Sequence, residues 1–325
     1  MKRTLALVLS LCMLICLFCG CSRNEAQETA EEEETVIRVG GLTGPTSMGM
    51  VKLMYDNDSG TSENKYEFSL QSEAAAFVSG LAKGDIDIAA VPANLASVIY
   101  NNTNGGIKLL AINTLGVLSI VERGDSIKGI ADLAGKKLYA TGEGAAPEFA
   151  LRYLLKENGV ENVDIQWCAD TTEALSYISS EAGAIAMLPQ PFVTVAQTKV
   201  EGLRVAIDMN SEWEKLDNGS AMVTGVLVVR SEFAEKYPVQ LDRFMMEYEA
   251  SVNYVLENNE AAELIGSYGI VAAPVALKAL PNCNITFISG SDMVPVMEGY
   301  LNVLYGMNPA AVGGKLPESD FYYGA

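Results

Sequence analysis

The chain has 325 residues, a formal net charge of −19 and no histidine. The acidic excess opposes binding to nucleic acid, which depends on neutralising phosphates with lysine and arginine. The lack of histidine removes the commonest general base, the Ser-His-Asp and Cys-His catalytic arrangements, and metal sites of the Cys/His type. A metal site made of carboxylates alone stays open, but the composition favours a chain with no catalytic residues, no metal and no cofactor.

The first segment of the chain reads as a secretion signal followed by a tether. Two basic residues precede an apolar run that is shorter than the ~20 residues needed to span a bilayer. Gly20 directly before Cys21 resembles the lipobox of bacterial lipoproteins, in which cleavage leaves a lipid-bearing cysteine. We predict a signal peptide at 1–20, lipidation of Cys21 and a disordered acidic tether over 21–35. An ordinary signal peptide with an unrelated cysteine is the alternative.

Two cysteines, Cys168 and Cys283, lie beyond the predicted lipid site. One potential bridge does not make a disulfide framework, and free cysteine is among the residue types most often buried. We expect both thiols to be buried and unpaired, although a bridge in an oxidising compartment stays open.

After residue 35, apolar strand-like runs alternate with helical patterns, which is typical of α/β folds with mostly parallel sheets. The segment 73–83 places its apolar residues at helical spacing, and Gly84 ends it. The next run, IDIAAVP, has the pattern of a buried strand that ends at a proline. The predicted elements of this first unit are strands at 36–39, 66–70 and 86–91 and helices starting at 49, 73 and 94.

The plan of this unit is repeated after residue 135. The segment KKLYATGEGAAPEFALRYLL has the order strand, glycine–threonine loop, proline, helix, as VIRVGGLTGPTSMGMVKLM does. Likewise, TTEALSYISSEAGAIAMLPQPFVTVA repeats the helix, glycine, strand, proline loop and helix of SEAAAFVSGLAKGDIDIAAVPANLASVI. The architecture is repeated rather than the residues themselves, and this predicts two similar α/β lobes.

Two apolar segments are predicted to connect the lobes. One is 107–122, in which two runs are broken at Asn113-Thr114, and the other is 225–230. Paired crossings allow two lobes to close on each other about a hinge. We expect a monomer, with lobe 1 at 36–117 and 229–325 and lobe 2 at 118–228.

These features together resemble the substrate-binding lipoproteins of ABC importers. The motifs GDIDIAAVP, GAIAMLPQP, ATGEGAAPEFALRYLL and NPAAVGGKLPESDFYY are similar to sequences of the branch that includes sulfonate-, nitrate- and thiamine-pyrimidine-binding proteins. The resemblance covers roughly 36–323 and implies the two-lobe type II periplasmic-binding-protein fold, an α/β fold in which each lobe is a mixed, mostly parallel sheet flanked by helices.

The same resemblance implies a location and partners. It implies a lipid-anchored protein on the extracytoplasmic face of a Gram-positive membrane, which binds a small solute and delivers it to an ABC permease and ATPase. A yeast pyrimidine synthase of the branch uses a site dependent on cysteine and histidine. This chain lacks histidine and a cysteine cluster, so that enzymatic activity does not transfer to it.

Small polar residues stand where strands give way to helices in both predicted lobes. The first four amides of a helix lack intrahelical partners and its N-terminus is partly positive, so such loops can bind a ligand at the carboxyl ends of the strands. Taken singly, each residue has a structural alternative as an N-cap or a turn, but the equivalent placement in two lobes favours binding. The predicted ligand-binding residues are Thr43, Thr46, Ser47, Gln71, Asn94, Thr114, Thr141, Gly142, Glu143, Gly144, Ala145, Gln190 and Thr224.

Glu143 gives the clearest indication of ligand charge. If its carboxylate points inward, it favours a cationic or amino-bearing solute, and no lysine or arginine lies in these loops to favour a strong anion. Backbone amides can still bind an anion without cationic side chains. The preferred ligand is therefore an aminopyrimidine or similar heterocycle, with a sulfonate-like solute left open. Tyr100, Tyr139 and Phe192 are candidates to stack on its ring.

Three functions are compatible with this organisation: a transport receptor, a sensor lipoprotein that feeds a signalling partner, and an enzyme on the same fold. The missing histidine disfavours the enzyme. Asp85 and Asp87 flank the start of a strand and are interpreted as a solvent-exposed edge rather than a carboxylate pair. We predict a transport receptor that is not an enzyme. A neighbouring permease and ATPase gene pair would separate transport from sensing.

Overall fold

A computed structural model describes residues 35–325. The predicted signal peptide, Cys21 and all of the predicted tether except its last residue lie outside the described residues. Among residues 35–325, no helix is both long enough and apolar enough to cross a membrane.

The described strands form two β-sheets. They are β1 Val36–Leu42, β2 Lys65–Gln71, β3 Ile88–Pro92, β4 Ile107–Leu115, β5 Leu118–Arg123, β6 Lys137–Ala140, β7 Asp164–Trp167, β8 Ile185–Pro189, β9 Leu203–Asp208, β10 Val223–Arg230 and β11 Ile285–Ser289. One sheet has six strands in the order β11-β4-β10-β3-β1-β2, and the other has five in the order β7-β6-β8-β5-β9. Each sheet is the centre of one lobe.

Helices connect the strands and complete the C-terminal part of the described chain. They are α1 Pro45–Met48, α2 Val51–Asp58, α3 Ala75–Lys83, α4 Ala93–Asn102, α5 Ala146–Glu157, α6 Thr171–Ser180, α7 Phe192–Lys199, α8 Met209–Glu214, α9 Ser231–Lys236, α10 Pro238–Glu257, α11 Ala261–Ser267, α12 Ala273–Ala279 and α13 Met293–Met307. Short 3-10 turns lie at Ile130–Leu133, Leu280–Asn282, Gly290–Asp292, Pro309–Val312 and Ser319–Phe321.

The strand order confirms the predicted architectural repeat. The run β2-β1-β3-β10 in one sheet corresponds to β7-β6-β8-β5 in the other: the first three strands are parallel and the fourth is antiparallel. Strands β3 and β8 are buried along nearly their whole length, as expected for central parallel strands covered on both faces. The apolar runs and the spacing of glycines and prolines in the sequence are therefore enough to predict the repeated unit.

The sheets contain more antiparallel pairing than the predicted mostly parallel sheets would. Strands β4, β5 and β10 pair antiparallel with their neighbours, as do the edge strands β9 and β11. The reason is that the chain passes between the lobes next to β4, β5 and β10. Strand direction there follows from these long-range connections rather than from a strand–helix–strand unit.

The connections between the lobes differ in position from the predicted ones. The first connection is Gly116-Val117, between β4 and β5, whereas Asn113 and Thr114 lie within β4. The second lies at 215–222, between α8 and β10. All of β10 belongs to the six-stranded sheet, so 223–228 lie with lobe 1 in the structure and not with lobe 2. An apolar strand in a sheet and an apolar crossing have the same sequence pattern.

Asp87 is buried in an ion-pair cluster, so the interpretation of Asp85 and Asp87 as a solvent-exposed edge is wrong for Asp87. It is 2% exposed, whereas Asp85 is exposed. Its carboxylate accepts hydrogen bonds from the Arg38 backbone N–H at 3.0 Å, from Arg38 Nε at 2.8 Å and from Arg230 Nη2 at 3.1 Å. Hydrogen bonding to Asp87 raises the pKa of Arg38. Two arginines from β1 and β10 therefore hold the residue that precedes β3.

Both cysteines are buried free thiols, as predicted. Burial raises the pKa of Cys283 to about 12, and burial is also the first cause of the raised pKa of Cys168. Neither sulfur is therefore poised to act as a thiolate nucleophile near neutral pH.

Candidate functional site

A cavity lies between the two sheets and is lined by elements of both lobes. Its volume is about 210 Å3. The lining residues come from the ends of strands β1, β3 and β8, from the starts of β5 and β10, from the two connections, and from helices α1, α5 and α13. They are Leu42, Thr46, Pro92, Val117, Leu118, Ala146, Pro147, Ala150, Pro189, Met222, Val223, Thr224 and Tyr300. The lining thus includes strand ends and helix starts from both lobes, and of the predicted ligand-binding residues it includes Thr46 and Thr224.

Thr46 contributes to the cavity from the short helix α1. Its backbone carbonyl accepts a hydrogen bond from Asn113 Nδ2 at 2.9 Å, and its side chain packs against Gly225 in β10. The Thr46 hydroxyl has no hydrogen-bond partner among the described residues. The position of Thr46 is thus fixed from behind by β4 and β10, while its hydroxyl stays available on the cavity side.

The packing of Thr46 requires glycine at position 225. A Cβ built on Gly225 would lie 1.9 Å from Thr46 Cγ2 and 2.7 Å from Asn113 Oδ1. We expect Gly225→Ala to lower the free energy of unfolding by about 1–3 kcal/mol, since overpacking forces neighbouring groups to shift. Urea denaturation measures this change. Gly129→Ala is the control, because a Cβ there meets nothing within 4 Å; equal unfolding midpoints for the two variants would refute the packing argument.

Thr224 faces the cavity because β10 is irregular at this residue. Val223 pairs with Leu115 and Gly225 with Thr114, and the register shifts between these two pairs. A bulge inserts an extra residue into one strand and re-aims its side chain, and bulges occur often beside binding sites. Thr224 is that extra residue, and its hydroxyl has no partner among residues 35–325. The bulge thus places a polar group where regular alternation would not.

Tyr300 is the aromatic side chain of the cavity. It lies in the middle of α13, is 2% exposed, and its ring centroid is 5.9 Å from that of Trp213 in α8. Burial raises the pKa of the Tyr300 phenol, so it remains a neutral group at physiological pH. Its hydroxyl has no hydrogen-bond partner in the described part of the chain. Sequence reasoning missed Tyr300, because a tyrosine in an apolar helix has the pattern of a core residue.

The loop before α5 satisfies much of its own hydrogen bonding. The Gly144 N–H donates to Glu148 Oε2 at 2.6 Å, and the Ala145 N–H donates to the Gly142 carbonyl at 3.1 Å. The hydrogen bond from Gly144 is the main cause of the lowered pKa of Glu148. Pro147 has no N–H to offer. The prediction that this helix start presents unpaired amides therefore fails for Gly144, which donates to Glu148, and for Ala145, which donates to the Gly142 carbonyl.

The position of Glu148 in the sequence could have predicted the hydrogen bond to the Gly144 amide. A glutamate at the third helical position commonly reaches back to amides that precede the helix, and Arg152 at 2.6 Å holds it from the next turn. By contrast, Glu143 is exposed and is not among the lining residues of this cavity. Its inward orientation, on which the indicated ligand charge depended, is not what the structure has.

The corresponding corner of lobe 1 is not a long helix N-terminus. Helix α1 has four residues and a proline at its first position, and α2 begins separately at Val51. One turn of helix carries little of the summed dipole of a long helix. At this corner of the described structure the predicted dipole of a long helix is therefore absent, whereas the longer helix α4 begins directly after Pro92, which lines the cavity.

The other predicted site residues are distributed around the cavity rather than lining it. Thr43 and Gln71 are exposed and paired, with the Thr43 N–H donating to the Gln71 carbonyl at 2.8 Å. Asn94 donates to the Ala311 carbonyl at 3.2 Å. Thr141 and Gly142 are half-buried in the loop that leads to the cavity. The polar corners are thus near the cleft, but several of them are committed to structural contacts.

Three of the predicted residues are buried behind the cavity. Ser47 lies against Gly41, and its hydroxyl is buried without a partner among the described residues. Thr114 is 0% exposed and donates to Asn113 Oδ1 at 3.2 Å. Gln190 accepts a hydrogen bond from the Thr194 hydroxyl at 2.9 Å. None of the three lines the cavity.

The predicted stacking aromatics do not line this cavity either. Tyr100 is buried and donates to Asp320, and Tyr139 is buried, stacks on Tyr177 and donates to Glu181 at 2.7 Å. Phe192 is 45% exposed. Tyr100 and Tyr139 are therefore core residues of their own lobes.

Comparisons with known proteins agree with this geometry. Residues 106–262, a little under half of the chain, match the family model described as NMT1/THI5 like. An ABC transporter structure from Parabacteroides distasonis is similar with a TM-score of 0.74 and 24% identity, covering 89% of this chain and 98% of that one. The fold is that of the periplasmic binding proteins.

Two further structures with the periplasmic-binding-protein fold show how widely it is used. The aliphatic sulphonate binding protein SsuA from Escherichia coli is similar with a TM-score of 0.68 and 16% identity, covering 87% of this chain and 92% of that one. A Candida albicans protein described as having the generic periplasmic binding protein fold gives a TM-score of 0.56 and 14% identity, covering 88% and 93%. A search of curated protein sequences gives no significant match.

Proposed function

We propose that this chain is the solute-binding component of an ABC import system. The observation that carries the proposal is the cavity between the two lobes, which takes lining residues from both sheets and both connections. A solute in that position contacts both lobes at once, so its binding energy favours the closed arrangement over an open one. The similar structures described above as an ABC transporter and a sulphonate binding protein support the same reading, and neither is described as an enzyme.

Closure is supported by a second contact between the lobes. Helix α7 of the five-stranded lobe contacts α12 of the six-stranded lobe, at a place separate from the two connections. The short connection Gly116-Val117 and the connection 215–222 are the segments that absorb backbone rotation in a hinge motion. The closed, solute-bound form then presents a different surface from the empty receptor, and the permease recognises that difference.

The proposal includes a lipid anchor at Cys21, which rests on the lipobox-like sequence alone. In a bacterial host that processes lipoproteins, we expect the full chain to incorporate radiolabelled palmitate and to sediment with membranes. Cys21→Ala should lose the label. Cys19→Ala, a change of the same residue type two positions earlier, should keep it; label retained by Cys21→Ala would contradict the anchor.

A small-metabolite extract of bacterial cells tests whether the protein binds a solute and releases it chemically unchanged. The purified protein is mixed with the extract, separated from free compounds and denatured, and the released compounds are identified by mass spectrometry. We expect one small organic solute per chain, an aminopyrimidine or similar heterocycle or a sulfonate-like compound, recovered unchanged. A compound that is consumed would indicate an enzyme, and the retention of no compound would refute solute binding.

A further inference from the structure

The cavity between the lobes contains no charged side chain in its lining. Eleven of its lining residues are apolar or aromatic, namely Leu42, Pro92, Val117, Leu118, Ala146, Pro147, Ala150, Pro189, Met222, Val223 and Tyr300. Burying an isolated charge away from water is very costly unless an opposite charge or a set of hydrogen bonds compensates it. A charged ligand group would find no ionic partner in this lining.

The start of helix α5 is also poorly suited to an anion. Helix α5 delivers Ala146 and Pro147 to the cavity, but the carboxylate of Glu148 already occupies the Gly144 amide before that helix. A sulfonate at the start of α5 would have to displace Glu148 or approach it, and like charges at that distance repel. The amides of Gly144 and Ala145, directly before this helix, are therefore already paired within the chain.

Three hydroxyls supply polar contacts within the otherwise apolar lining. Those of Thr46, Thr224 and Tyr300 all belong to lining residues, and none has a hydrogen-bond partner among residues 35–325. A buried hydroxyl left unpaired costs about 1–3 kcal/mol, so a ligand that hydrogen-bonds to these groups gains stability relative to one that does not. Hydroxyls both donate and accept, which suits neutral ligand groups of either kind.

We propose that this cavity selects a compact, uncharged solute, with an apolar body the size of one six-membered ring and neutral polar groups that hydrogen-bond to Thr46, Thr224 and Tyr300. The size follows from the cavity volume of about 210 Å3, since a cavity of about 150 Å3 is enough to bind benzene. This inference rests on the proposed solute-binding function and deepens it, because it excludes the sulfonate-like solute.

A set of matched probes tests the charge preference. Benzyl alcohol, benzylamine and phenylmethanesulfonate share one benzyl group and differ in the charge of the substituent, and calorimetry measures the affinity of each for the purified protein. We expect benzyl alcohol to bind, and the cation and the anion to bind at least about tenfold more weakly, a difference of about 1.4 kcal/mol. Equal or tighter binding of either charged probe, or no binding of benzyl alcohol, would overturn the inference.

Substitution of Tyr300 tests whether the hydroxyls named above contact the solute. Tyr300→Phe keeps the ring and removes the hydroxyl, and we expect it to weaken benzyl alcohol binding by about threefold to tenfold, the value of one hydrogen bond. Tyr305→Phe is the matched control, because Tyr305 lies on the same helix, is exposed and does not line the cavity. Thr224→Val is a second, nearly isosteric test that does not depend on α13. Unchanged affinity in both Tyr300→Phe and Thr224→Val would refute the assignment.

The outcomes separate this inference from the proposed function. Tight binding of a charged compound, whether phenylmethanesulfonate or a solute from the cell extract, would refute the charge preference while leaving a solute-binding protein. Retention of no compound from the extract would instead refute the proposed function itself.

Discussion

Replacing Ala146 with tryptophan is expected to abolish solute binding while leaving the chain folded. Ala146 is the first residue of α5, is half-buried and lines the cavity of about 210 Å3. An indole there fills space that a ligand needs, and expelling a buried aromatic side chain costs up to about 3 kcal/mol. Because 1.4 kcal/mol corresponds to a factor of ten, we expect binding to weaken by about 100-fold.

The measurement is calorimetric titration of benzyl alcohol and of the solute recovered from the cell extract. Ala76→Trp is the matched control, because Ala76 is an exposed residue in the first turn of α3 and does not line the cavity. Urea denaturation establishes that both variants fold. Wild-type affinity in the folded Ala146→Trp variant would place the binding site somewhere other than this cavity.

Asp87→Asn is expected to produce the largest loss of stability. The Asp87 carboxylate is buried and takes hydrogen bonds from Arg38 and Arg230, which are 38% and 18% exposed. Neutralising it leaves two guanidinium groups without their shared anion. Breaking a buried ion pair by removing one partner costs about 3–5 kcal/mol, and partial exposure of the arginines places this case near the lower end.

Asp85→Asn provides the control for Asp87→Asn. Asp85 is two residues earlier, is exposed and forms no ion pair within the described residues. The Asp85→Asn substitution should therefore change the free energy of unfolding of the protein by less than about 0.5 kcal/mol. Urea denaturation at neutral pH compares the two variants with wild type. If both variants unfolded at the wild-type midpoint, the cluster would contribute nothing to the link between β1, β3 and β10.

The repeated half of each lobe could be predicted from sequence because its signals are local. Strands β3 and β8 are short apolar runs that end in proline, and each is preceded by a helix and a glycine. Such runs are typical of the buried centre of a parallel sheet. The same reasoning could not separate β10 from a crossing segment, because its apolar pattern is equal in both cases and its antiparallel partners are distant in sequence.

The sequence predicts where the candidate site lies but only some of the residues that line it. Thr46 and Thr224 were predicted because both stand next to a strand end, and both line the cavity. Thr114 was predicted for the same reason, yet it is buried because β4 is covered on both faces. Tyr300 arrives from a helix far along the chain, and no local pattern connects it with the strand ends. Spacing fixes where a sheet edge lies but not which side chains turn toward it.

Native mass spectrometry of the wild-type protein and of Ala146→Trp, each purified without denaturant and exposed to the same bacterial extract, tests the central claim most directly. A solute held between the lobes predicts one small molecule bound per wild-type chain and an unliganded mass for the folded variant. A wild-type chain that carries no ligand, or a ligand retained equally by both proteins, would contradict the account.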